Sequence, residues 1–231
     1  MTTKRQPTQT AYVKTIHSDN QVTSRFTFLE SRSNTIRGIG FLLISTFSMS
    51  AMVTLVRHLS ADLHPFQLAF FRAFFGLLVF IPFLIQNGLA PLRTQRLALH
   101  SLRATLHSIS VILFFYGLKM TPLAKAISIQ FSAPLFASVL AIVILGESLR
   151  LGRIAALTVG FVGALVVLRP GIVPIGVETI AILIAAAMWG TALIVIKALA
   201  RTESSATMTI YSTLLMSPIT LIVALPVWQH P

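Results

Sequence analysis

The sequence predicts an all-α protein, a polytopic bundle of membrane-spanning helices, and three observations predict it. Of 231 residues, 55% are hydrophobic and only 10% charged, with a mean hydropathy of +0.83. A soluble domain carries about 25% charged residues, so too few charges are present here to cover a water-facing surface. The apolar residues gather in long runs, each near the length of a bilayer-crossing helix, roughly 20 residues. The basic residues behind the net charge of +12 stand in clusters between those runs rather than along one stripe. That distribution argues against a nucleic-acid partner and fits the positive-inside rule of membrane insertion.

In chain order, residues 1–37 are polar and basic, with Lys4, Arg5, Lys14, Arg25, Arg32 and Arg37 against Asp19 and Glu30. The stretch is too long for the charged region of a signal peptide and reads as a cytoplasmic tail. Apolar runs follow at 38–57 and 66–85, the second opened by Pro65, which suits a first helical turn. The third lies between Arg103 and Lys119, the fourth at 124–146, and the fifth between Arg153 and Arg169. The last two cover 177–197 and 206–228. Runs three and five, at about 15 residues or about 22 Å, are short for a roughly 30 Å hydrocarbon core, and terminal Lys and Arg are expected to snorkel.

Alternating the spans with the tail inside puts Arg93, Arg96, Arg103, Arg150, Arg153, Lys197 and Arg201 inside, with those of the tail. Only Arg57, Lys119, Lys125 and Arg169 fall outside, so an N-inside orientation is expected. Segment 41–60 also lies over 181–200 at an offset of 140 residues, matching Leu43 with Leu183, Ile44 with Ile184, Arg57 with Lys197 and Leu59 with Leu199. The next spans match only with a gap. A repeat of five spans is odd, so its second copy enters the membrane upside down, as in secondary transporters whose mirrored halves open alternately to each side. The expected organisation is a tail (1–37), a first five-span repeat (38–171) and the first two spans of an inverted second repeat (172–231).

The segment AKAISIQFSAPLFASVLAIVILGESLRLGRIAALTVGFVGALVVLRPG, 124–171, supplies a mid-span Pro134, the pair Gly146-Glu147, the basic turn Arg150 and Arg153, and Gly160 and Gly163 in the next span. In these residues, and in Phe71-Arg72 of the second span, the chain resembles an EamA domain of the drug/metabolite transporter superfamily, over about 38–228. The resemblance implies a ten-span carrier of small organic metabolites, two five-span halves around a central cavity, in a bacterial inner membrane. The sequence stops at Pro231 after the seventh span, so a truncated carrier is expected.

Several residues are candidates for function. Arg72 lies inside the second span, where a charge is costly unless it faces a cavity or snorkels to the headgroups; it is a candidate contact for a substrate anion. Pro134 should free the carbonyl of Gln130, and Gln130 and Ser132 beside the kink could line a solvated mid-membrane site or act as interhelical hydrogen-bond glue. Trp189, central in its span, could stack on a flat substrate or simply pack. Tyr116 joins the candidate cavity set, although an aromatic belt also explains it. His107, a lone histidine, reads more readily as structural than as a proton relay. Glu147 is expected to pair with Arg150 or Arg153 at the cytoplasmic surface, a structural or gating contact. The small residues Ala185, Ala186, Ala187, Gly190 and Ala192, and likewise Gly160 and Gly163, are expected at close helix contacts.

The leading function is transport of a small organic metabolite or drug by alternating access, with the lipid bilayer and the solute as partners and no cofactor. A homodimer is compatible with it. Without cysteine there is no thiolate chemistry or disulfide framework, and no Walker-type phosphate loop points to direct ATP drive. A membrane-embedded transferase would need clustered acids or histidines, whereas Asp62, Glu147, Glu178 and Glu203 are scattered. The remaining alternative is a fragment or subunit that needs a partner to transport.

Overall fold

The computed structural model describes residues 35–88, 92, 94–146, 151–168 and 176–229. Every regular element among them is helical: α1 (Thr35–Leu59), α2 (Pro65–Asn87), α3 (Leu97–Met120), α4 (Leu123–Gln130), α5 (Ala133–Leu145), α6 (Leu151–Leu168), α7 (Val177–Leu199) and α8 (Ser205–Ala224), closed by a 3₁₀ turn at Leu225–Val227. Among the described residues, six segments are long and apolar enough to cross a membrane: α1, α2, α3, α4 with α5, α7, and α8 with its 3₁₀ turn. Helix α6 has 18 residues, with a shorter apolar stretch at Ile154–Gly163. The all-α polytopic fold is therefore as expected.

The chain forms two compact units. The first ends at Val53 and holds most of α1; the second runs from Thr54. At the heart of the second, α3 packs along α7 and α2 along α8, with α3 also against α8, while α4 and α5 lie on α7. Fully buried positions are mostly small or hydroxylic: Ala69, Ala104, Ser108, Ala185, Ala186 and Thr220. Large apolar side chains such as Val79, Ile85, Val139, Val143 and Val159 face outward. Lipid is as apolar as leucine, so close backbone approach, not hydrophobic burial, holds such helices together. Most buried hydroxyls are satisfied internally, Ser108 donating to the carbonyl of Ala104 (2.8 Å) and Ser110 crossing to that of Ala185 on α7 (2.8 Å), while Thr179 Oγ1 has no partner among the described residues.

Three expectations are corrected. Helix α3 has 24 residues, not the shorter run between flanking charges, and takes Arg103 inside because that guanidinium is held by the carbonyl of Met208 on α8 rather than by the surface. Pro134 does not kink a continuous helix. The chain stops at Phe131–Ser132 and restarts, with Pro134 in the first turn of α5, where its missing N–H removes no helical bond. The amides of Phe131 and Ser132 close the end of α4 on the carbonyls of Ile127 (3.1 Å) and Ile129 (2.9 Å). Finally, Gly160 and Gly163 sit at no close helix contact among the described residues: a Cβ on either would meet none of them within 4 Å. Gly190 and Gly117, in contrast, do hold helices together.

The turns joining α1 to α2 and α7 to α8 share three backbone hydrogen bonds at the 140-residue offset, the first turn adding one from Ala61 to the carbonyl of His58 (3.2 Å). Ser60, Asp62 and Leu63 donate to the carbonyls of Val56 (2.9 Å), Leu59 (3.1 Å) and Leu59 (2.9 Å). Ala200, Thr202 and Glu203 donate to those of Ile196 (2.8 Å), Leu199 (3.0 Å) and Leu199 (2.9 Å). The following helices start at Pro65 and Ser205, behind the caps His64 and Ser204. No gap is needed between these spans in the backbone, although the side chains differ.

The two caps differ chemically. Ser204 accepts from the amide of Thr207 (3.1 Å). His64 Nδ1 accepts from the amide of Phe66 (3.4 Å), and the His64 amide donates to Gln67 Oε1 (3.2 Å). Only a neutral imidazole can accept, and burial, then the nearby Lys119 ammonium, holds the His64 pKa below its ordinary value. A histidine with a lowered folded-state pKa stabilises fully above its unfolded value, about 6.5, and the stabilisation is lost as pH falls through the folded value. The thermal midpoint of the wild-type chain in detergent should therefore drop between pH 7.5 and 5.5 by more than that of His64→Asn, whose cap does not titrate. Equal drops would show that the cap plays no part.

Candidate functional site

A cavity of about 340 Å³ opens among α2, α3 and α8. Helix α2 contributes Arg72, Ala73, Gly76 and Phe80, α3 contributes Arg103 and His107, and α8 contributes Thr209, Ser212, Thr213 and Met216. The volume lies within the usual 300–1,000 Å³ of small-molecule sites. Its position follows from helix periodicity. Positions 72, 73, 76 and 80 share one stripe of α2, and 209, 212, 213 and 216 share one of α8. Gly76 lets the stripes approach, since a Cβ there would stand 3.4 Å from Thr213 Cγ2. Three pairs of lining positions, Arg72 and Ser212, Ala73 and Thr213, and Gly76 and Met216, are separated by the repeat offset.

The charge of the cavity is one-sided. No carboxylate is among its lining residues. Arg103 Nη1 donates to the carbonyl of Met208, while its Nε is buried without a partner among the described residues. Arg72 forms no hydrogen bond or ion pair with any described residue. A guanidinium at a span centre costs about 2.5–3.5 kcal/mol on insertion scales, and Arg72, the eighth of the 23 residues of α2, lies short of that centre, where the cost is smaller. Midway along α3, His107 Nδ1 lies 3.4 Å from Ser212 Oγ. Behind it stands Trp189 of α7, ring centroids 4.7 Å apart and planes at 43°.

Both ends of the α2/α3/α8 group are tied. Where α2 begins, Gln67 Nε2 donates to the carbonyl of Gln229 (2.8 Å), and Phe70 and Phe71 pack on Trp228 with centroids 5.9 and 5.8 Å away. At that end Arg57 also donates to the terminal carbonyls of α3, those of Leu118 and Lys119. At the opposite end Tyr211 donates to the carbonyl of Leu92 (2.6 Å) and Thr94 to Glu203 Oε1 (2.6 Å). His100 is stacked on Tyr211 at 4.6 Å, and neither of its ring nitrogens has a partner among the described residues.

The candidates from sequence are thus dispersed. Arg72 lines the cavity, and Trp189 adjoins it through His107. Tyr116 is elsewhere, half-buried with its ring 6.5 Å from that of Phe66. Gln130 and Ser132 sit at the α4–α5 break. Ser132 donates to the carbonyl of Ile129 (2.7 Å), and Gln130 Oε1 is buried without a partner among the described residues. Pro134 lines a second, apolar groove of about 510 Å³ with Gly160 and Gly163 of α6. Glu147 and Arg150 lie outside the described residues, as does the side chain of Arg153. Sequence reasoning missed Arg103, Ser212 and Thr213, and set His107 aside as solitary. The stripe 209, 212, 213, 216 was a signal that could have found α8.

A helical bundle of this length and apolarity, with a cavity lined by two arginines and a histidine between its spans, defines an integral membrane protein. The EamA-like transporter family matches residues 36–169, and the chain belongs to that family. It is 34% identical over 196 residues to an S-adenosylmethionine uptake transporter of Rickettsia felis, covering 85% of this chain and 67% of that one. It is 32% identical over 158 residues to a riboflavin transporter of Vibrio cholerae, covering 68% and 53%. A pseudopaline exporter of Pseudomonas aeruginosa is 28% identical over 133 residues, covering 58% and 46%. No solved structure matches the chain significantly. The protein is therefore a membrane transporter of a small metabolite, not an enzyme.

Proposed function

We propose that this chain carries a small organic metabolite of the S-adenosylmethionine kind across the bacterial inner membrane by alternating access, through the cavity between α2, α3 and α8. The observation that supports it best is that repeat-related positions, 72 and 212, 73 and 213, and 76 and 216, all line that cavity. A site on the axis relating two inverted halves meets the same environment from either side, which is what alternate opening requires. The organisation proposed is a first repeat at 38–171 and the opening of an inverted second at 172–231, and the matched turns support it. The choice of solute rests on the similarity to the S-adenosylmethionine uptake transporter of Rickettsia felis. Reconstituted in liposomes, the chain should take up labelled S-adenosylmethionine saturably, at least tenfold above protein-free vesicles. Absence of saturable uptake would overturn this reading.

The orientation belongs to the same proposal, with the tail in the cytoplasm. The chain has no cysteine, so single cysteines report it directly. Asp62→Cys and Thr202→Cys occupy matched, exposed positions of the two turns. In intact cells an impermeant maleimide should label Asp62→Cys and leave Thr202→Cys unlabelled. Labelling of both would refute the inversion, and labelling of the second alone would reverse the proposed orientation. A homodimer is the assembly proposed, with cross-linking of such variants as its measurement.

A further inference from the structure

We propose that Arg72 is an oxyanion receptor, and that the solute handled by this cavity must present a carboxylate or phosphate group to it. The inference rests on the reading of the α2/α3/α8 cavity as the solute site, and it adds the chemical group that the site selects. Three observations carry it. First, the cavity holds two guanidiniums and an imidazole, with no Asp or Glu among its lining residues. Second, the cations are not equivalent. Arg103 already spends a donor on the carbonyl of Met208, whereas Arg72 forms no hydrogen bond or ion pair with any described residue. Third, Arg72 is the eighth of the 23 residues of α2, a depth at which a guanidinium snorkels to the headgroups or faces a cavity or partner, and here it lines the cavity.

The missing partner has to come from outside the described residues, and its geometry is constrained. A guanidinium offers a planar fork that meets carboxylate or phosphate oxygens through two parallel hydrogen bonds. Thr209, Ser212 and Thr213 border the same space with hydroxyls that can donate to the remaining oxygens. Phe80 and Met216 offer apolar wall to the rest of the molecule. The arrangement suits a small organic anion or zwitterion with an apolar or flat body. It does not provide a carboxylate for an ammonium or sulfonium centre, so any positive group on the solute would be held by aromatic faces or left to water.

Phenylglyoxal modification tests this on the purified full chain in nanodiscs, with the modified arginines read by mass spectrometry. The probes are S-adenosylmethionine, methionine, the methyl ester of methionine, riboflavin and inorganic phosphate. In nanodiscs of phosphatidylcholine alone, Arg72 should react, and S-adenosylmethionine, methionine or phosphate should slow it at least fivefold. The methyl ester, which lacks the anion, and riboflavin should slow it less than twofold. Equal protection by methionine and its ester would overturn the proposal, as would protection by no oxyanion at all. An Arg72 that is unreactive without any probe would overturn it too, because a closed cavity receives no solute. Nanodiscs containing phosphatidylglycerol separate the lipid source of the same chemistry: protection by that headgroup alone would also overturn it. Protection of Arg72 by methionine or phosphate but not by S-adenosylmethionine would leave the receptor standing and remove the proposed solute. Saturable uptake of S-adenosylmethionine with Arg72 unprotected would do the reverse.

Discussion

Gly190→Leu should prevent the bundle from assembling. A Cβ at that position would stand 2.7 Å from the carbonyl oxygen of Ala133, 2.8 Å from Phe136 Cβ and 2.9 Å from the amide nitrogen of Ala137. Two of those three atoms are backbone, so no rotamer change can relieve the clash; α5 must leave α7. Extra methylenes in a packed core cost about 1–3 kcal/mol. Here a whole side chain is added where not even one carbon fits. Because α7 also carries α3 and α4, the displacement would spread through the unit. Size-exclusion profiles in mild detergent should show aggregation of Gly190→Leu, and Gly190→Ala should lower the thermal midpoint. Gly160→Leu is the control, since a Cβ there meets none of the described residues within 4 Å, and its profile should match wild type. Identical behaviour of the two leucine variants would show that the α5–α7 contact is not essential.

Ser212→Asp should raise stability and abolish transport together. Ser212 shares its cavity with Arg72 and Arg103 and lies 3.4 Å from His107, so a carboxylate there would meet three potential partners. The cationic cavity would then carry its own counter-charge, and the destabilisation of uncompensated guanidiniums would fall. The same carboxylate would occupy the place proposed for the solute's anion. Uptake should drop at least about 100-fold, equivalent to about 2.7 kcal/mol, while the thermal midpoint rises. A variant that loses both stability and uptake would point to a packing role for Ser212. One that keeps uptake would place the solute elsewhere.

Much of this fold was legible because a membrane imposes few solutions. Backbone polar groups must be satisfied within the segment, so long apolar runs can only be helices. Boundaries were legible wherever local chemistry set them, as at Pro65. They were missed where a distant partner set them. Arg103 reads as the edge of an apolar run, and only its contact with the Met208 carbonyl carries the helix past it. Pro134 reads as a kink because sequence spacing does not show whether the chain before it remains helical. Arg72 was found because an intramembrane charge is conspicuous in one dimension. The rest of its cavity was not, because Ser212 and Thr213 are ordinary hydroxyls until α8 is laid against α2. His107 is solitary along the chain and acquires neighbours only when α7 and α8 close around α3. Gln130 and Ser132 were legible as polar residues in an apolar span, but not as belonging to a different part of the bundle.

The matched turns after α1 and α7 have a further consequence. Each closes on its own backbone, through amides and carbonyls within a few residues. Neither needs anything peculiar to one face of the bilayer, and either would be equally content in the water on the opposite side. The instruction about sidedness is therefore written elsewhere, in the lysines and arginines of the loops and tail. Relocating a few of those cations would make the insertion machinery thread the whole chain the other way up, with both turns left intact.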